Sequence, residues 1–81
     1  MAIRIFLTIR TEEGKAESVH KTLTRFPEVV ESHRVLTGDY DVVAFVEVKT
    51  MDRYRAFSVD QIATIEGVID YTSFLTIGPG E

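Results

Sequence analysis

The stretch IRIFLTIR (Ile3–Arg10) decides the fold, because the chain contains a second version of it. It aligns without a gap with VVAFVEVK (Val42–Lys49), so that Phe6 falls on Phe45. The same register aligns two further pairs of segments: FPEVVES (Phe26–Ser32) with IEGVIDY (Ile65–Tyr71), and VLT (Val35–Thr37) with FLT (Phe74–Thr76). Self-similarity at a constant offset indicates a duplicated structural unit.

The first unit is predicted to be a strand, a helix and a strand. Side chains alternate along Ile3–Ile9 with the period of a strand. Apolar residues then recur at helical spacing from Ala16 to Phe26, and Pro27 is predicted to end this helix. The second strand is predicted over Val29–Thr37.

The second unit repeats this order. Val42–Val48 is predicted to be a strand, and Thr50 is a suitable cap for the helix that follows. One face of that helix is predicted to carry Met51, Tyr54, Ser58, Ile62 and Ile65. Gly67 is predicted to end the helix, and Val68–Ile77 to form the last strand.

The order βαββαβ predicts a single α+β domain over residues 1–81. Its simplest arrangement is a ferredoxin-like sandwich, a four-stranded antiparallel sheet with both helices on one face. Phe6, Val43 and Phe45 would then lie on the uncovered face. A chain of 81 residues without cysteine has a small core and no disulfides. We therefore expect the uncovered face to pack on another subunit, as in dimeric α/β barrels.

Composition excludes several functional classes. The net charge is −4 and the basic residues are scattered, which argues against direct nucleic-acid binding. His20 and His33 lack the spacing of a metal site, and no cofactor motif is present, so neither a metal nor a cofactor is expected. The longest apolar run, Val42–Val46, is too short to cross a membrane, and no signal peptide is evident. A cytoplasmic protein is expected.

The connection between the two units, LTGDYDVV (Leu36–Val43), carries more polar groups than a hairpin needs. Asp39 and Asp41 are candidate acceptors for an ammonium group, whereas the Gly38 amide and the hydroxyls of Tyr40 and Thr37 are candidate donors for a carboxylate. Gly38 also permits the positive φ of tight turns. Gly and Asp are equally ordinary turn formers, so the residues alone leave both interpretations open.

The stretch VVESHRVLTGDYDVV (Val29–Val43) resembles the ligand-binding half of the leucine-responsive regulatory protein/asparagine-synthesis regulator (Lrp/AsnC) family, the RAM domain. The segments PEV and EGV before the second strand of each unit support the resemblance, which extends over Ile3–Ile77. The helix-turn-helix domain of the family does not precede Ile3, so the chain resembles a stand-alone RAM module.

The resemblance implies dimers formed sheet on sheet, which assemble into higher oligomers. It implies a small effector, typically an amino acid, between dimers beside the Gly38–Asp41 turn. Thr72 matches a polar stretch near the pocket of the family. Full-length Lrp/AsnC-type regulators are the implied protein partners, and modulation of transcription is the implied function.

Two alternatives remain open. No catalytic motif appears, and we expect no enzymatic activity, yet many small ferredoxin-like dimers are enzymes with sites assembled in space. A dimeric α+β-barrel monooxygenase or isomerase would use His33 or His20 as its acid or base. The other alternative is an assembly module that binds no ligand.

Overall fold

Two antiparallel strands form the centre of the sheet in this computed structural model, which describes residues 3–76. The strands are β1 (Ile3–Thr11), β2 (Val29–Arg34), β3 (Val42–Val48) and β4 (Val68–Thr76), and the helices are α1 (Ala16–Leu23) and α2 (Met51–Phe57). The spatial order is β2-β3-β1-β4, and every neighbouring pair is antiparallel. This is the predicted ferredoxin-like arrangement.

The register reflects the internal duplication. Phe6 lies opposite Phe45 in the β1–β3 ladder, and these residues are also equivalent in the sequence repeat. The two units are therefore related by a pseudo-twofold axis that passes between the two phenylalanines. The first strand of each unit lies in the centre of the sheet, and the second strand of each unit lies at an edge.

One face of the sheet is buried beneath the helices. The fully buried side chains of the two central strands all lie on this face: Ile5, Leu7, Ile9, Val42, Ala44 and Val46. Val19 and Leu23 from α1 and Phe57 from α2 complete the core from above. Burial of these apolar side chains is the main contribution to the stability of the fold.

The other face carries an aromatic row that no helix within residues 3–76 covers. The rings of Phe6 and Phe45 lie 5.1 Å apart between centroids, and those of Phe6 and Phe74 lie 6.2 Å apart. The Arg4 guanidinium lies 5.0 Å from the Phe45 ring centroid, and Nε of Arg4 lies 3.8 Å from the Glu47 carboxylate. We call this surface the open face, defined by Phe6, Val43, Phe45 and Phe74.

Both helices end earlier than the sequence predicted. α1 ends at Leu23, and tighter turns then continue to Phe26, whose N–H donates to the Leu23 carbonyl at 3.1 Å. Pro27 follows this turn. The shorter α-helix is physically reasonable because the chain tightens before the proline that it cannot continue through.

The second helix changes its winding. α2 continues as a π-helical segment over Ser58–Ile62, in which the Ala63 N–H donates to the Ser58 carbonyl at 2.9 Å. Tyr54, Phe57 and Ser58 are all buried, whereas Met51 is exposed. The predicted apolar face was therefore right for Tyr54, Ser58 and Ile62 but wrong for Met51, and it missed Phe57.

Caps and glycines define the remaining boundaries. The Thr50 hydroxyl accepts a hydrogen bond from the Arg53 N–H at 3.1 Å, which confirms the predicted cap. Gly67 has a φ of +100°, and β4 begins at the next residue. The predicted end of that strand, Ile77, lies outside the described residues. No helix within residues 3–76 is long and apolar enough to cross a membrane.

Candidate functional site

The connection between β2 and β3 is longer than the predicted hairpin. The strand predicted over Val29–Thr37 ends at Arg34, and the chain rejoins the sheet at Val42. The Val35 N–H donates to the Asp41 carbonyl at 2.9 Å and closes the loop. From Leu36 to Tyr40 the chain belongs to no strand or helix, and Leu36 is 91% exposed. In the repeat, Val35–Thr37 are equivalent to the last residues of β4, which continues to Thr76. The prediction failed because the two units differ at this point.

Gly38 turns the chain at the tip of this connection. Its φ is +102°, as the sequence predicted for a position that needs glycine. A Cβ atom at this position would meet nothing within 4 Å. The surface around the glycine is therefore open, and its backbone is accessible to an approaching molecule.

The groups at the tip have no partner within the described chain. No side-chain hydrogen bond in residues 3–76 involves Thr37, Asp39 or Tyr40. None of the backbone N–H groups from Thr37 to Tyr40 donates to another backbone group in that part of the chain. Thr37, Gly38 and Asp39 are exposed, and Tyr40 is half-buried. The tip thus presents free donors and a free carboxylate side by side.

Asp41 has a different environment from Asp39. Its carboxylate Oδ2 accepts a hydrogen bond from the Thr11 N–H at 2.8 Å, and its own N–H donates to the Ile9 carbonyl at 3.0 Å. Together with the bond from Val35, these contacts fasten the loop to the end of β1. A half-buried carboxylate at this position needed a partner, and the Thr11 amide supplies one.

Thr72 is not close to the turn within one chain. It lies in β4 opposite Thr8 on the open side of the sheet, and it is exposed. Its carbonyl accepts a hydrogen bond from the Thr8 hydroxyl at 3.3 Å. Because β1 and β3 separate β4 from β2, Thr72 and the Gly38 turn do not form one cluster in this chain.

The two histidines lie in separate surroundings. Nδ1 of His20 lies 2.7 Å from the Ser32 hydroxyl, where α1 packs on β2. Nε2 of His33 lies 2.9 Å from the Glu31 carboxylate on an exposed part of β2. Within residues 3–76 no three His, Cys, Asp or Glu side chains group as a metal site would require.

Sequence reasoning missed a polar cluster between α2 and β4. The Tyr54 hydroxyl hydrogen-bonds the Ser73 hydroxyl, and the Tyr71 hydroxyl donates to the Ser58 carbonyl at 3.4 Å. Burial raises the pKa of Tyr54, against the opposing effect of the Ser73 hydrogen bond. The available signal was the spacing of Tyr54 and Ser58 on one helical face, which by itself resembles ordinary core packing.

Comparison with known proteins assigns the chain to a family. The model of the Lrp/AsnC ligand binding domain matches residues 4–78. The chain belongs to this family. It is 36% identical over 66 residues to the HTH-type transcriptional regulator FL11 of Pyrococcus furiosus, an alignment that covers 82% of this chain and 42% of FL11. The chain therefore spans about two fifths of the length of this curated Lrp/AsnC-type relative.

Solved structures share the Lrp/AsnC domain fold. FFRP-DM1 superposes with a TM-score of 0.88 at 27% identity, over 93% of this chain and 99% of that chain. The regulator NMB0573 of Neisseria meningitidis, crystallised as a complex with L-Met, superposes with a TM-score of 0.85 at 18% identity. That alignment covers 98% of this chain and 52% of the regulator, and at this identity it shows the fold alone.

Proposed function

We propose that this Lrp/AsnC domain binds an amino acid at the turn from Thr37 to Asp41. The observation that carries the proposal is the tip of the turn, where free N–H groups, two hydroxyls and the Asp39 carboxylate have no partner in the described chain. The family is described as a ligand-binding domain, which supports a small molecule as the missing partner.

The chemistry of the turn fits the two charged groups of an amino acid. The ligand ammonium would be bound by Asp39 and by the oxygen of Asp41 that Thr11 leaves free. The ligand carboxylate would accept hydrogen bonds from the Gly38 N–H and from the hydroxyls of Thr37 and Tyr40. Charge-assisted hydrogen bonds of this kind contribute about 1.5–3 kcal/mol each.

The proposed pocket is completed by other subunits. The open face would form a dimer, because a row of partly exposed aromatic side chains is more stable when another apolar surface covers it. The turns would then meet between dimers in a higher oligomer. Thr72 enters this proposal as a residue contributed by a neighbouring subunit, since it lies two strands away from its own turn.

The proposed output is regulation of transcription through partners. The curated relatives are named as HTH-type transcriptional regulators, and this chain matches less than half of their length. We propose that effector-bound oligomers of this chain associate with full-length regulators of the same family. This role requires no enzymatic activity from the chain itself.

A panel of amino acids in thermal-shift assays, followed by calorimetric titration, tests the proposed site. A ligand at 100 times its dissociation constant adds about 2.7 kcal/mol of stability if it binds only the folded state. Asp39→Asn is expected to weaken binding by about 10- to 150-fold, because the charge that balances the ammonium is lost. Asp52→Asn, on the exposed first turn of α2, is the matched control and should leave affinity unchanged. Equal affinities for wild type and Asp39→Asn would contradict the proposed ammonium contact.

A further inference from the structure

A cavity lies at the end of β3 that is far from the turn. Its lining carries charges of both signs that form no ion pair with one another. It has a volume of about 210 Å³ and is lined by Glu28, Glu47, Val48, Lys49 and Arg53. Glu47 is already paired with Arg4 on the open face. The remaining charged groups are one half-buried carboxylate, Glu28, and two cations, Lys49 and Arg53.

These three groups have no ion-pair partner in the described part of the chain. No ion pair within 4.0 Å in residues 3–76 includes Glu28, Lys49 or Arg53. They line one small cavity, yet each cation is more than 4.0 Å from the Glu28 carboxylate. The opposite charges of this lining would suit a molecule that carries both charges itself.

A second cavity adjoins the first and is partly apolar. Its volume is about 200 Å³, and it shares Glu28 and Arg53 with the first cavity while adding Ala56 and Phe57 to the wall. Asp60 and Gln61 complete the lining. A ligand held by its charges in the first cavity would have Ala56 and the exposed edge of Phe57 beside it.

From this geometry we propose a second ligand site in the two adjoining cavities, which together we call the cleft. This site takes a small zwitterion with an apolar side chain. Glu28 binds the ammonium, Arg53 binds the carboxylate in a bidentate manner with Lys49 beside it, and Phe57 contacts the side chain. The Arg53 backbone N–H is occupied by Thr50, so the contact is made by the guanidinium. This site is formed within one chain and does not depend on the proposed function of the turn.

Titration of the ¹⁵N-labelled protein with L-methionine, followed by amide chemical shifts, tests this proposal. We expect saturable shifts at Glu28, Lys49 and Arg53, with a dissociation constant that differs from that of any shifts at Gly38. Arg53→Gln should raise the dissociation constant at the cleft about tenfold or more, through loss of a charge-assisted contact. Arg55→Gln, an exposed arginine on the same helix outside both cavities, should not.

Two further measurements separate the proposals. Asp39→Asn should leave the shifts at the cleft unchanged, whereas Glu28→Gln should weaken them and spare the turn. The carboxylate analogue 4-(methylthio)butanoate, which lacks the ammonium group, should bind the cleft at least tenfold more weakly than L-methionine. The cleft proposal is overturned if shifts appear at the turn alone, if Arg53→Gln and Arg55→Gln behave alike, or if the analogue binds equally well.

Discussion

The two aspartates of the turn differ in their surroundings although they lie two residues apart. Asp39 is exposed and has no hydrogen-bond partner in the described residues, whereas Asp41 accepts a hydrogen bond from the Thr11 N–H. The sequence marked both as acceptors for a ligand. It did not identify the partner of Asp41, because Thr11 belongs to a segment distant along the chain.

Asp41→Ala is expected to lower the free energy of unfolding by about 1–3 kcal/mol, since the Thr11 N–H loses a charged acceptor. Asp41→Asn keeps an acceptor oxygen and should lose less than half of that. Asp39→Ala, the matched control, should stay within about 0.5 kcal/mol of wild type. Urea unfolding measures the stability of all three variants. A cost for Asp39→Ala equal to that of Asp41→Ala would contradict a stabilising role for the hydrogen bond between Thr11 and Asp41.

Tyr54 connects stability to alkaline pH. Burial raises the pKa of the folded-state phenol above its ordinary value of about 10, so the folded state retains the proton longer than the unfolded state does. Its contribution to stability is complete below pH 10 and is lost as pH rises through the folded pKa. Tyr54→Phe also removes the hydrogen bond to Ser73, so this variant should be less stable than wild type at pH 8 by about 1 kcal/mol.

The same variant should also show a shallower fall in stability as the pH rises above 10, where the phenol of the unfolded state ionises first. Urea unfolding across this range measures both slopes. Parallel declines for wild type and Tyr54→Phe would show that another group governs the alkaline limit.

At the scale of elements, the repeat predicted the order of strands and helices along the chain, the four-stranded antiparallel sheet and the placement of both helices on one face. It failed where the two units differ. β2 ends at Arg34 although its equivalent in β4 continues, and α2 widens into a π-helical segment that α1 lacks. Alternation and helical spacing along the chain do not reveal such differences, because they carry no information on tertiary contacts. The partner of Asp41 escaped prediction for the same reason.

Gly38 and Gly67, two of the three described glycines with positive φ, provide a matched test of the turns. Gly38→Ala meets no atom within 4 Å, so its cost should be the backbone strain alone, about 1–2 kcal/mol. At Gly67 a Cβ would also lie 2.7 Å from Cβ of Lys15, and strain and overpacking together should cost about 2–5 kcal/mol. Chemical denaturation measures both. A larger cost at Gly38 than at Gly67 would contradict this account of the turns.

At the scale of the whole molecule, the net charge and its distribution affect whether the chain can bind nucleic acid directly. The net charge is −4, and four of the basic residues are already paired with carboxylates: Arg4, Arg10, Lys21 and Arg34. We therefore expect this 81-residue chain alone to leave duplex DNA unshifted in electrophoresis at physiological salt. A salt-dependent shift by the purified chain would overturn this expectation.

The proposed assembly depends on the open face, and β4 offers a sharp test of it. Phe74 and Leu75 are neighbours on this strand with similar exposure, 49% and 56%, but they lie on opposite sides of the sheet. Phe74 contacts the Phe6 ring on the open face, whereas Leu75 lies on the helix side. If the open face is the dimer contact, a charge at Phe74 is buried without a partner, and a charge at Leu75 is not.

Phe74→Lys is thus expected to weaken the dimer by 100-fold or more, about 2.7 kcal/mol, whereas Leu75→Lys should leave it intact. Light scattering and sedimentation at micromolar concentration measure the oligomeric state of each variant, and urea unfolding checks that both remain folded. A wild-type chain that is a monodisperse monomer would remove the proposed dimer. Dissociation by both variants alike would instead place the contact along the β4 edge, because only an edge contact uses both sides of that strand.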